Sequence, residues 1–151
     1  MVKSIAVLTS GTDSPGMNAA IRAVARTALF EKAAVWGVND GFYGLVHDQI
    51  KQMNSVSVSD TIQRGGTFLG TSFCPEFETV NGRKKAFANL KSHQIEGLVV
   101  IGGDGSMKGA KIFSDEFDFP VVGIPATIEN DIWGTDYTIG CDTAANTVVE
   151  A

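Results

Sequence analysis

Apolar positions follow two rhythms along this chain. Short β-branched runs at residues 4–8 (SIAVL), 33–38, 97–101 and 119–124 have the length and composition of strands covered on both faces. Between them the apolar spacing lengthens to a helical period. After Met17 it runs through Ala20, Ile21, Val24, Ala25, Ala28 and Leu29. Within 83–93 Ala86, Phe87 and Leu90 form one face, with Lys84, Lys85 and Lys91 on the wet side. The pattern also predicts helices starting at Ser106 and running to Phe113, and over 143–151, where Ala144, Val148 and Val149 align. A short helix is predicted over 59–63, stopped by Gly65 and Gly66. Residues 40–44, 67–77 and 125–134, dense in turn formers, read as loops, and 48–59 has no pattern that favours one element. Strands alternating with helices require an α/β fold: a three-layer architecture with a mostly parallel sheet and helices on both faces. Such a sheet binds its ligands beyond the carboxyl ends of its strands.

One stretch carries the chemistry. In Leu98-Val99-Val100-Ile101-Gly102-Gly103-Asp104-Gly105-Ser106-Met107 a buried strand opens through glycines into a helix. Glycines let the backbone approach a ligand closely, and a helix N-terminus offers free amides and a positive dipole end, a site suited to phosphate. A carboxylate there repels bare phosphate, so Asp104 implies a bridging hard cation such as Mg²⁺. The bland reading is a tight turn in which Asp104 only caps the helix. Against it, three loops rich in glycine or polar residues, 11–16, 102–106 and 126–131, all leave the same end of the sheet.

Composition narrows the class. The 151 residues, 44% hydrophobic and 19% charged, suffice for one buried core. A net charge of −5 without a Lys/Arg stripe argues against nucleic acid as a partner. Cys74 and Cys141 show neither metal spacing nor a disulfide framework, which suits a reducing compartment. The first residues lack the pattern of a signal peptide, and no apolar run approaches the roughly 20 residues of a membrane span, so no membrane association and a cytoplasmic location are expected. His47 and His93 read as surface histidines. The last periodic segment has no stop signal, so the chain reads as the front part of something longer.

Four segments together resemble a known family. Leu8-Thr9-Ser10-Gly11-Thr12-Asp13-Ser14-Pro15-Gly16-Met17-Asn18-Ala19-Ala20-Ile21-Arg22, residues 57–70 with Arg64-Gly65-Gly66-Thr67-Phe68-Leu69-Gly70, residues 99–106, and Thr127-Ile128-Glu129-Asn130-Asp131 followed by residues 134–140 are closely similar to bacterial 6-phosphofructokinase, in that family's order. The resemblance implies the ATP-side domain over 1–151, ending before the sugar-phosphate domain. It implies transfer of the γ-phosphoryl of ATP to fructose 6-phosphate with Mg²⁺, in a homo-oligomer, a tetramer in the family, that responds to a nucleotide effector. It places Gly11, Thr12, Phe73, Cys74, Gly103, Asp104, Gly105 and Ser106 at the nucleotide, with Asp104 on the metal. Thr127, Ile128 and Glu129 fall at the sugar, Glu129 and Asp131 at the reacting centre, and Arg22, Arg26, Ser55, Ser59 and Asp60 at the effector site. The family's pyrophosphate-using branch is less similar, since it tends to carry Asp where Gly105 stands and Lys where Ala126 stands.

The sequence also departs from the pattern. Glu129 replaces the family's Asp proton acceptor; its basicity is similar, but one methylene moves the carboxylate by about an ångström, a displacement worth on the order of a hundredfold in rate. Thr12 replaces a glycine where phosphates approach. Phe73 replaces a phosphate-clamping arginine, Cys74 a phenylalanine and Ser55 an effector arginine. These changes leave open a non-catalytic nucleotide-binding remnant; the glycine turn alone would also suit an NAD or lipid kinase. Because the family's sugar-phosphate arginines lie mostly beyond residue 151, the 151 residues by themselves are expected to show little turnover.

Overall fold

A computed structural model describes residues 2–151. Six strands form a sheet in the order β3-β2-β1-β4-β5-β6, with β1 Ser4–Ser10, β2 Ala34–Val38, β3 Ile50–Met53, β4 Gly97–Gly102, β5 Val121–Thr127 and β6 Ile139–Gly140. All neighbours are parallel except β2 and β3. The helices are α1 Met17–Phe30, α2 Gly41–Val46, α3 Val80–Ser92, α4 Asp104–Phe117 and α5 Cys141–Glu150.

The pleat sorts the strand side chains into two cores. Ala6 and Leu8 of β1 and Leu98 and Val100 of β4 point into one, with Leu45 of α2, Leu90 of α3 and Phe113 of α4. Val7 and Ile101 point into the other, with Met17, Ile21 and Ala25 of α1. The sheet is thus covered on both faces, which is why its strands read as continuous apolar runs. Phe113 anchors the first core, with Phe77, Phe87, Phe117 and Phe119 around it at ring separations of 5.1 to 6.4 Å.

Three sequence expectations fail and one unassigned stretch takes an element, each for a tertiary reason. Residues 40–44 lie in a turn and in helix α2, because Phe42, Leu45 and Val46 are buried against the sheet and that burial outweighs the glycines. Residues 50–53 form the antiparallel edge strand β3, with only Ile50 and Met53 buried, too short a pattern to register. Residues 59–63 form turns rather than a helix, with Asp60 at φ 54°. The stretch 67–77 is not uniformly exposed: Leu69, Cys74 and Phe77 are buried, and Pro75–Glu78 is a 3₁₀ turn. In addition β5 runs through Pro125 to Thr127, two residues past the expected strand's neighbouring loop start. α3 and α4 begin earlier than periodicity indicated, α3 because Thr79 caps it by accepting from the Gly82 amide at 3.0 Å.

Candidate functional site

Strand register brings the three unusual loops together. Ser10 of β1 pairs with Gly102 of β4, and Gly102 with Pro125 of β5, so the residues that follow, Gly11, Gly103 and Ala126-Thr127, lie side by side at one end of the sheet. Here the chain order also reverses: β1 leads into α1 on one face and β4 into α4 on the other, which opens a crevice between them. Contact distances agree. A Cβ added to Gly11 would lie 3.2 Å from Ser106 Oγ and 3.8 Å from the Gly103 amide nitrogen, and one added to Gly103 would lie 3.8 Å from Thr127 Cβ. Gly11 is at φ +84°, a left-handed conformation that suits glycine.

A cavity of about 480 Å³ opens at this rim. Ser10, Gly11 and Thr12 line it from the first loop, Gly105, Ser106 and Gly109 from α4, and Phe73 and Cys74 from the 71–74 segment. Of the residues the resemblance assigned to the nucleotide, Gly11, Thr12, Phe73, Cys74, Gly105 and Ser106 therefore line one cavity, and Gly103 and Asp104 do not. Phe42, Thr71, Ser72, Phe77 and Glu78 complete the wall, and sequence reasoning missed them. Phe42 and Phe77 stack with ring centroids 4.0 Å apart, although 35 positions of sequence and the strand β3 separate them, so no local signal could pair them. Phe73 is largely exposed at the mouth, whereas Cys74 is buried.

α4 presents its first amides at this rim without a side-chain cap on Gly103, and Asp104 is the acid of its first turn. Asp104 Oδ2 lies 2.6 Å from Lys108 Nζ, one turn further on. That hydrogen bond and the Asp104 charge, with a smaller contribution from Asp131, hold the Lys108 pKa above its ordinary value. The Asp104 carboxylate thus already receives a cation. Among the described residues no group of three or more His, Cys, Asp or Glu side chains is placed to hold a metal, so a cation here would take Asp104 plus oxygens of a ligand, the usual pattern for Mg²⁺ on a polyphosphate.

The 128–138 loop carries the second set of candidates. Thr127 Oγ1 donates to Glu129 Oε2 at 3.3 Å and accepts from the Glu129 amide at 3.3 Å. Asn130, at φ 51°, accepts the Thr138 amide on Oδ1 at 2.8 Å and donates from Nδ2 to the Asp136 carbonyl at 3.1 Å, while Thr138 Oγ1 donates to the Thr127 carbonyl at 2.7 Å. These bonds fold the loop on itself and leave Ile128, Glu129 and Asp131 exposed. Trp133, almost entirely exposed, contributes nothing to this network. Ser14, 1% exposed, ties the first loop to the end of this one by donating to the Ile139 carbonyl at 3.2 Å.

The effector candidates gather elsewhere. Arg22 donates to the Val58 carbonyl at 2.6 Å, Ser59 Oγ to the Ser55 carbonyl at 3.1 Å, and Arg26 and Ser55 share an open depression of about 530 Å³ with Thr27, Leu29 and Phe30. Asp60 is exposed next to Ser59. The histidines, expected on the surface, each lie beside a carboxylate: His93 Nε2 is 2.7 Å from Asp48 Oδ1, and His47 Nε2 is 3.6 Å from Glu76 Oε2.

Fold and rim together define a doubly wound α/β domain with an anion-receptive crevice at its topological switch point. The chain belongs to the phosphofructokinase family, whose model matches residues 4–151. It is 60% identical over all 151 residues to the ATP-dependent 6-phosphofructokinase of Histophilus somni and 61% identical to that of Vibrio cholerae. The chain spans about half the length of these curated relatives, 47% of each. It superimposes on phosphofructokinase from Saccharomyces cerevisiae with a TM-score of 0.96 and 39% identity, over 98% of this chain and 23% of that one. A pyrophosphate-dependent phosphofructokinase from Marinobacter aquaeolei shares the fold with a TM-score of 0.83 at 20% identity, over 99% of this chain and 41% of that one. Family membership removes the NAD or lipid kinase reading. No described helix is long and apolar enough to cross a membrane.

Proposed function

We propose that the chain forms the ATP-side domain of an ATP-dependent 6-phosphofructokinase, which phosphorylates fructose 6-phosphate to fructose 1,6-bisphosphate in cytoplasmic glycolysis. The observation that carries this reading is the convergence of Gly11, the Gly103-to-Ser106 turn and Thr127 at one rim, over a cavity of a size that suits a nucleotide. The names of its relatives, ATP-dependent 6-phosphofructokinases that match its full length, support ATP as the donor. Gly105 supports it too: a Cβ there would meet nothing within 4 Å, so this open space is free for nucleotide phosphate, where an added carboxylate would repel it.

In this reading the amides of Gly103, Gly105 and Ser106 receive phosphate oxygens at the positive end of α4. Asp104 would hold Mg²⁺, which when bound would supply neutralisation of the charge on the phosphate oxygens. Glu129, on its loop beside Thr127, accepts the proton of the sugar hydroxyl as that oxygen bonds the γ-phosphorus, while the bond from the γ-phosphorus to the β-bridging oxygen breaks and ADP leaves. Arg22, Arg26, Ser55, Ser59 and Asp60 serve a nucleotide effector, and the whole enzyme assembles as a homo-oligomer.

Calorimetric titration of the chain with Mg·ATP and then with fructose 6-phosphate tests the proposal. The expected outcome is saturable nucleotide binding, with weak or no sugar binding by the 151 residues alone. No heat from Mg·ATP at millimolar concentration would overturn it.

A further inference from the structure

Lys108 has no role in the reaction as derived above, and its place on α4 is unusual. It lies one turn beyond Asp104 on the same face, with Nζ 2.6 Å from Asp104 Oδ2. Both side chains are open to solvent, at 72% and 47% of their full exposure. Asp131, on the loop that also carries Glu129, is near enough for its charge to favour the same ammonium, more weakly than Asp104 does. Two carboxylates thus flank a rim built to receive an anion, and a single flexible cation stands with them.

Exposed pairs of this kind bind weakly, so the lysine neutralises Asp104 without locking it. A divalent ion carries twice the charge and coordinates carboxylate oxygen directly, so it displaces the ammonium from Oδ2. Mutual repulsion then drives the ammonium away from the metal. The exposed four-carbon stem, with no other ion pair among the described residues, lets it turn to another anion. At the N-terminal turns of α4 the phosphate tail, which carries more charge than Asp131, is that anion.

We propose that Lys108 is a resident counterion: it occupies Asp104 while no divalent cation is present and moves to polyphosphate oxygens once the cation has taken the carboxylate. Lys108 is then a positioning residue that sets how tightly metal and nucleotide bind, and it makes the site receptive to a polyanion before the metal arrives. The inference rests on the nucleotide reading of this rim.

Three measurements on the chain test it: Mn²⁺ binding without nucleotide, followed by the paramagnetic signal of the free ion; ATP binding with chelator, by calorimetry; and Mn·ATP binding. In Lys108→Met, which keeps the stem and removes the charge, Mn²⁺ alone should bind about two- to fivefold more tightly, and metal-free ATP more weakly by a similar factor. Lys108→Arg, which keeps the charge, should match the parent in both. Loss of either effect in Lys108→Met, with Mn·ATP still bound by the parent, overturns the inference and leaves the nucleotide site standing. Failure of the parent chain to bind Mn·ATP overturns the nucleotide reading and the inference with it.

Discussion

Gly11 shows how much one residue carries at this rim. Its positive φ and the 3.2 Å approach that a Cβ would make to Ser106 Oγ both disfavour a side chain. Gly11→Ala should cost about 1 kcal/mol in urea unfolding, because alanine rarely adopts a left-handed backbone, and should raise the dissociation constant for Mg·ATP. Glu129 is the complementary case, a chemical rather than a conformational residue. Under the proposed function, Glu129→Gln in a full-length phosphofructokinase carrying this domain should lower kcat by about 10² to 10⁴ and leave the KM for ATP little changed, since the amide cannot take the proton yet fills the same space. The residue types that do chemistry were readable in the sequence because acids, glycines and hydroxyls stand out from an apolar background. Lys108 could have been read from its spacing of four from Asp104, but such pairs are common on helices and only the proximity of a second carboxylate, Asp131, sets this one apart.

Elements are joined here by buried polar residues rather than by propensity alone. Asn18, 2% exposed on α1, donates to the Arg64 and Gly65 carbonyls at 3.1 and 3.2 Å and accepts the Phe68 amide at 2.7 Å, which staples the 64–68 segment to the helix. Thr9 fastens the same segment to β1, within 2.8 Å of Thr67 Oγ1 and donating to the Gly70 carbonyl at 2.8 Å. Asn18→Ala should therefore destabilise the chain by about 2 to 4 kcal/mol, visible as a lower urea midpoint, because the freed backbone groups lose partners in a partly buried place. At α3 the linkage is electrostatic. The Lys85 ammonium, hydrogen bonded at 2.6 Å to Glu76, holds that carboxyl below its ordinary pKa. The stabilisation is thus complete above the usual carboxylate range and lost as pH falls through the lowered value. Glu76→Gln should flatten the acid side of the stability profile, a small change because the pair is exposed. Helix α2 was illegible for the opposite reason. Its six residues include two glycines, and only the buried wall of Phe42, Leu45 and Val46 makes it a helix.

Across the whole molecule, order is graded from the centre of the sheet outward. Ala6, Val7, Leu8, Val100 and Ile101 on β1 and β4 have no exposed surface, whereas α5 buries no residue and shows Val148 and Val149 to solvent. Amide hydrogen exchange should be slowest in β1 and β4 and fastest in α5; protection of α5 equal to that of the central strands would contradict this gradient.

Periodicity and composition were enough to determine the α/β class, most of the strands and long helices, and the glycine-rich turn between β4 and α4, because a buried parallel strand and an amphipathic helix each impress a local period on the chain. Three things waited for the tertiary structure. The strand order placed Gly11, Gly103 and Thr127 at one switch point, the aromatic wall of the cavity was assembled from distant segments, and the short elements α2 and β3 took shape. Each of these depends on contacts between residues far apart in sequence, whose free energy appears only when the sheet closes, and no window along the chain contains both partners.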